Sequence, residues 1–170
     1  MKSSLSTVFN EADKNYKIIL KTYKILEKSY DMKLQIHSAG QWILDNMYII
    51  EQQYEEIKKC SHDLKHKKFT LVETSDGNKS IRIYLLAYEL IEKNTGYVDR
   101  NLIYNCLHEY QKVSYLTSEE LDLFVLMLKI ALLKFIARIC LNISNSQMKK
   151  IDVEKLLSHN HLSENKMVKE

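Results

Sequence analysis

The run with the most chemistry in it is His62-Asp63-Leu64-Lys65-His66. Two histidines four apart on a helix can share one metal ion, as in the H-E-x-x-H pattern of zinc proteases. The match is poor. An aspartate stands where that chemistry needs the longer glutamate base, and no third ligand is in view. Lys59, Lys65, Lys67 and Lys68 repel a cation. A solvated basic connector is the plainer reading, and neither a metal nor a cofactor is expected. His159-Asn160-His161 is a weaker pattern still. Three isolated glycines cannot form a phosphate-binding loop. Cys60, Cys106 and Cys140 are odd in number and far apart, which suits reduced thiols in a cytosolic protein. No catalytic residue is expected.

The basic connector, residues 58–68, adds Lys58 to the lysines above, and such a run can touch anionic lipid or nucleic acid. Only Phe69 offers a ring for base stacking, and a net charge of +3 is small. No nucleic acid is therefore expected. Asp45 is the informative polar residue. Helical spacing sets it on one face with Trp42 and Ile49, and a carboxylate buried there needs a partner. Arg82 opens a mostly apolar segment, where a cation is unfavourable to the helix dipole. Carboxylate and guanidinium match in shape. The expectation is a structural Asp45–Arg82 ion pair. General acid/base work would need a second positioned group.

The elements that position these residues are helical. The chain has 170 residues, no proline and 45% hydrophobic residues, which favours one ordered domain of long helices with short links. A first helix is expected over residues 4–33. Its heptad seam is Leu5, Phe9, Ala12, Tyr16, Ile19, Tyr23, Leu26 and Tyr30. A second, over 39–59, has a Ser38/Gln41 capping box and a matching seam of Ile43, Met47, Ile50, Tyr54 and Ile57. The short link between them predicts an antiparallel pair. Trp42 and Ile49, off that seam, predict a neighbour on a second face of helix 2.

Residues 58–80 read as a polar connection with a turn at Asp76-Gly77. A third helix over 81–93 stops before Gly96, and a fourth follows Asp99 with Val98 and Ile103 as a hydrophobic staple. The buried face of the fourth is Ile103, Cys106, Leu107 and Tyr110. A fifth opens at the Thr117/Glu120 capping box, flanked by Leu116 and Leu121, and runs to about residue 142. Residues 121–141 are apolar enough to suggest a membrane span, but they carry Asp122, Lys129, Lys134 and Arg138. Each charge would cost about 2.5–3.5 kcal/mol at a bilayer centre. A buried core helix is expected instead. Residues 1–17 lack the apolar run of a secretory leader. The expected architecture is an all-α, five-helix antiparallel bundle over 1–142. A polar tail over 143–170 would follow, with one short helix near 152–159.

Three segments carry a resemblance. They are Trp42-Ile43-Leu44-Asp45-Asn46-Met47-Tyr48-Ile49-Ile50-Glu51-Gln52, Arg82-Ile83-Tyr84-Leu85-Leu86-Ala87-Tyr88-Glu89-Leu90, and Tyr110-Gln111 with Leu116-Thr117-Ser118-Glu119-Glu120-Leu121. In order and spacing they resemble the N-terminal helical region of cyclic β-1,2-glucan synthases, large bacterial membrane glycosyltransferases of the glycosyltransferase-36 type. The resemblance spans residues 38–137. It implies a non-catalytic helical module, or a truncated remnant, set ahead of catalytic domains that this chain lacks. Its partner would be the rest of a glucan synthase or another helical protein. Its place would be the cytoplasm, at the membrane only through that partner. The alternative is a free-standing cytosolic adaptor that binds a protein through helix 1 or the 58–68 connector.

Overall fold

The computed structural model describes residues 5–64, 67, 69–74 and 77–167, with side chains to Ser158. Among the described residues, five helices and one short hairpin follow one another: α1 Leu5–Asp31, α2 Ser38–Asp63, β1 Leu71–Glu73, β2 Lys79–Ile81, α3 Arg82–Lys93, α4 Arg100–Gln111 and α5 Ser118–Met167. The class is all-α. All of the hairpin but Ile81, the residue expected to open the third helix, lies within the stretch expected to be a plain polar connection. Its two strands pair antiparallel, Leu71 opposite Ile81 and Glu73 opposite Lys79. The backbone N–H of Arg82 then donates to the Thr70 carbonyl at 2.9 Å, which ties the hairpin base to the start of α3. The expected turn residue Asp76 lies outside the described residues, and Gly77 has φ +76°.

The helix ends follow local chemistry. Asp99 caps α4 by accepting from the Leu102 N–H at 2.8 Å. Thr117 and Glu120 close a reciprocal capping box on α5: the Glu120 N–H donates to Thr117 Oγ1 at 3.2 Å, and the Thr117 N–H donates to Glu120 Oε2 at 3.0 Å. The cap of α2 differs from expectation. His37, not Ser38, is the cap residue, and its Nδ1 accepts from the Ala39 N–H. Ser38 already lies inside the helix, one residue too late for a Ser38/Gln41 box. Gly96 ends the turn after α3 with φ +86°, and its N–H donates to the Ile91 carbonyl.

Consecutive helices alternate in direction. α1 and α2 are antiparallel: the Tyr54 hydroxyl donates to Asp13, Tyr16 and Tyr54 stack at 3.8 Å, and Gly40 packs on Leu26. α5 runs parallel to α1, with Lys134 paired to Glu11 and Thr22 beside Ser144. It is parallel to α3 as well, since Arg82 meets Glu120 and Glu92 meets Arg138. α4 returns along α3, with Tyr110 beside Arg82 and Cys106 near Lys93.

The middle of α5 is therefore the centre of the bundle. Phe124, Met127, Leu128, Ile130, Ala131, Leu133, Ala137 and Cys140 are buried on nearly every side of it. A helix packed against α1, α2 and α3 must be apolar over most of its circumference, as residues 121–141 are between the charges Asp122, Lys129, Lys134 and Arg138. Among the described residues no helix is long and apolar enough to cross a membrane. The seams of α1 and α2 are spent inside the bundle, with one exception. Tyr30, at the end of the α1 seam, is exposed.

α5 corrects the expected organisation. It does not stop near residue 142 but continues unbroken to Met167, across the expected boundary between bundle and tail. Residues 143–167 contain no glycine or proline to end a helix. Their first turns are anchored: Gln147 and Lys150 both donate to the Gln35 carbonyl in the α1–α2 turn, and Ile151 is buried.

Candidate functional site

The expected Asp45–Arg82 pair does not form. Asp45 is exposed and accepts a hydrogen bond from Gln41 Nε2, one turn back on its own helix. The premise fails too, because Trp42 and Ile49 are 50% and 40% exposed and offer no buried face. Direction explains the rest. α2 runs against α3, so its first turns lie at the opposite end of the bundle from the first turn of α3. Asp45 instead borders an open groove of about 520 Å³ between α1 and α2. Tyr23, Glu27, Tyr30 and Asp31 face it there.

Arg82 is paired with Glu120. The guanidinium donates from Nε to Glu120 Oε1 at 3.2 Å and from Nη2 to Glu120 Oε2, a bidentate contact. Its remaining donors go to Ser114 Oγ at 2.9 Å and to the Tyr115 carbonyl at 3.1 Å. Tyr110 lies beside the guanidinium, and Thr70 beside the carboxylate. The two side chains are only 11% and 2% exposed. Burial pushes the Glu120 carboxyl up, but Arg82 and the Thr117 N–H outweigh it, so it stays below the usual glutamate range. The Glu120 bonds hold Arg82 above its ordinary value against its burial. The pair is ionised with its polar atoms occupied, so it neither moves a proton nor presents a donor to a ligand.

That network gathers Arg82 from the second motif and Tyr110, Thr117 and Glu120 from the third. The other motif residues stay apart. Asn46 Nδ2 donates back to the Trp42 carbonyl. Glu51 approaches Tyr16, and Gln52 approaches Glu56. Tyr84 is buried, its hydroxyl has no hydrogen-bond partner among the described residues, and burial pushes its pKa up. Glu89 pairs with Lys93, and Gln111 ends α4 half-buried.

The charges on α5 also found partners that sequence reasoning missed. Lys129 pairs with Glu56 of α2, Lys134 with Glu11 of α1, and Arg138 with Glu92 of α3. One central helix thus reads its register against three neighbours. The only signal available was the mixture of basic residues in an apolar helix with glutamates on the helices around it.

His66 of the expected histidine pair lies outside the described residues. Among the described residues no group of histidine, cysteine and carboxylate side chains could hold a metal ion. The three cysteines are free. Burial pushes the Cys140 thiol up to about 11, which removes its nucleophilic form at neutral pH. Compared with protein-family models, curated proteins and solved structures, the chain matches none of them.

Proposed function

We propose that the chain is a non-catalytic helical module of the kind that precedes the catalytic domains of cyclic β-1,2-glucan synthases. One observation carries this reading. Arg82, Tyr110, Thr117 and Glu120, all drawn from the motifs of the resemblance, meet in a single closed network that clasps α3, α4 and α5. Motif residues spent on one another suit a scaffold better than an active site, where polar groups must face a substrate. The adaptor alternative draws less support from helix 1, because every residue of the α1 seam but Tyr30 is buried or half-buried in its own bundle. Its other route would be the exposed lysines Lys58, Lys59 and Lys67.

The test is complementation in trans. A cyclic β-1,2-glucan synthase stripped of its N-terminal helical region is mixed with the purified chain, and glucan synthesis and co-sedimentation are measured. Association that restores cyclic glucan is the expected result. Failure of both would overturn the proposal.

A further inference from the structure

α1 and α3 both pack on α5, and Lys134 of α5 lies between them. It pairs with Glu11 of α1 and sits over the ring of Tyr88 of α3, 4.6 Å from its centre. Beside it a cleft of about 210 Å³ opens. Asn15 and Ile18 form its α1 wall, Tyr88 and Glu92 its α3 wall, and Ala137 and Leu141 of α5 its apolar floor. The cleft is smaller than the roughly 300–1,000 Å³ of sites that hold drug-sized ligands. Any occupant is a molecule of few atoms.

Two of the residues on these walls carry a buried polar atom with no hydrogen-bond partner among the described residues: Nδ2 of Asn15 and Oε1 of Glu92. Such atoms are rare in folded proteins, because each gives up its bonds to water for nothing. One is a donor on α1, and the other is an anionic acceptor on α3. Both side chains are half-buried, and the terminal torsions of Asn and Glu are soft, so each atom can turn to the cleft. Glu92 spends its other oxygen, Oε2, on Arg138, whose Nη1 donates to it at 2.8 Å. Arg138 lines the same cleft and is 54% exposed. The other N–H groups of its guanidinium show no hydrogen-bond partner among the described residues.

We propose that this cleft binds a free α-amino acid with a small aliphatic side chain. The ammonium meets Glu92 Oε1, because a buried carboxylate oxygen calls for a cation more than for a neutral donor. The carboxylate takes Nδ2 of Asn15 and the spare N–H groups of Arg138, a charge-assisted contact. The aliphatic side chain lies on Ile18, Ala137 and Leu141. The charges agree: the Lys134–Glu11 and Arg138–Glu92 pairs already cancel, so a ligand that is neutral overall adds no uncompensated charge. A simple amine or a simple carboxylate would add one, and would leave one of the two atoms unpaired. This inference is independent of the synthase-like reading above.

Proton–nitrogen correlation NMR of the full chain, titrated with L-valine into the millimolar range expected of so small a ligand, tests it. The backbone amides of Ile18, Ala137 and Leu141 should shift to saturation, and that of Val72 in the hairpin should stay in place. Isovalerate lacks the ammonium and isobutylamine lacks the carboxylate, and each should bind at least about tenfold more weakly. Asn15→Leu and Glu92→Gln should each weaken L-valine by a similar factor. Asn15→Leu exchanges an unpaired donor for an apolar group of similar size, so that variant should melt no lower than the unaltered chain. Its loss of binding is then not a loss of fold, and Glu92→Gln reports on the opposite wall. The absence of any saturable shift with L-valine overturns the proposal. Equal binding of either analogue overturns it too, since one charge would then suffice. L-valine binding that survives both substitutions also overturns it, by placing the ligand elsewhere.

Discussion

Arg82 and Glu120 form the kind of pair that costs more to break by removing one partner than to replace as a whole. Each ion loses water on burial, and only the bidentate contact with its flanking hydrogen bonds offsets that loss. Removing one partner leaves the other charged and buried. Arg82→Met and Glu120→Gln should each cost about 3–5 kcal/mol, and the double variant less than the sum. Asp45→Asn, on an exposed side chain, should stay within about 0.5 kcal/mol. Urea denaturation of the four proteins measures all of this. Equal small losses would mean that the pair is not buried in solution. The pH dependence has a definite sign. The folded Glu120 carboxyl sits below its ordinary value, so its stabilisation is full above about pH 4.3, the unfolded value. It drains away as the pH falls through the folded value. Urea midpoints taken downward from neutral pH should fall in that acid range, and Glu120→Gln should flatten the part due to this group.

At the scale of the element, the chain's few glycines show how little turn chemistry it needs. Gly96 is held at φ +86°, and a Cβ there would stand 2.7 Å from Cε1 of Phe135 on α5. Backbone strain and overlap with a packed ring act together. Gly96→Ala should therefore cost more than about 1 kcal/mol. Gly77, at φ +76° with nothing within 4 Å of the same position, carries the strain alone, and Gly77→Ala should cost less. Thermal melts of the two variants compare them directly, and equal losses would discard the Phe135 contact. The helices also differ in how they are held. α4 has its cap and a half-buried face but no fully buried residue. α1, α2 and α3 each bury several.

For the whole molecule, that difference predicts an order of opening. Few buried apolar contacts mean a low free energy of local unfolding. In native-state hydrogen exchange, the amides of α4 should exchange well before those of α1 and the middle of α5. Comparable protection in α4 would show a face covered by something outside the chain. Around α5, the pairs Lys129–Glu56, Lys134–Glu11 and Arg138–Glu92 bind three helices to one axis. They act on register more than on stability, because all three are partly exposed to solvent.

Helix by helix, the sequence determined a great deal. The heptad seams of α1 and α2, the Asp99 cap, the Thr117/Glu120 box and the stop at Gly96 are local. Each depends on residues within a few positions of one another, so spacing and residue type carry the information. The central place of α5 was legible for a related reason, since a helix apolar over most of its circumference has to be packed on several sides. Tertiary structure alone decided which charged side chains meet. Arg82 had several carboxylates of suitable type. Glu120 was chosen because α3 and α5 run parallel with their first turns together, while α2 runs the other way and carries Asp45 to the far end. The exposure of Trp42 and Ile49 was decided in the same way. Periodicity shows that a helix has a second apolar face, but only packing shows whether anything in the chain covers it. The length of α5 hid for the opposite reason. Polar residues after Leu141 suggested a tail, yet nothing there breaks a helix, and Gln147, Lys150 and Ile151 find the α1–α2 turn only once the bundle has formed.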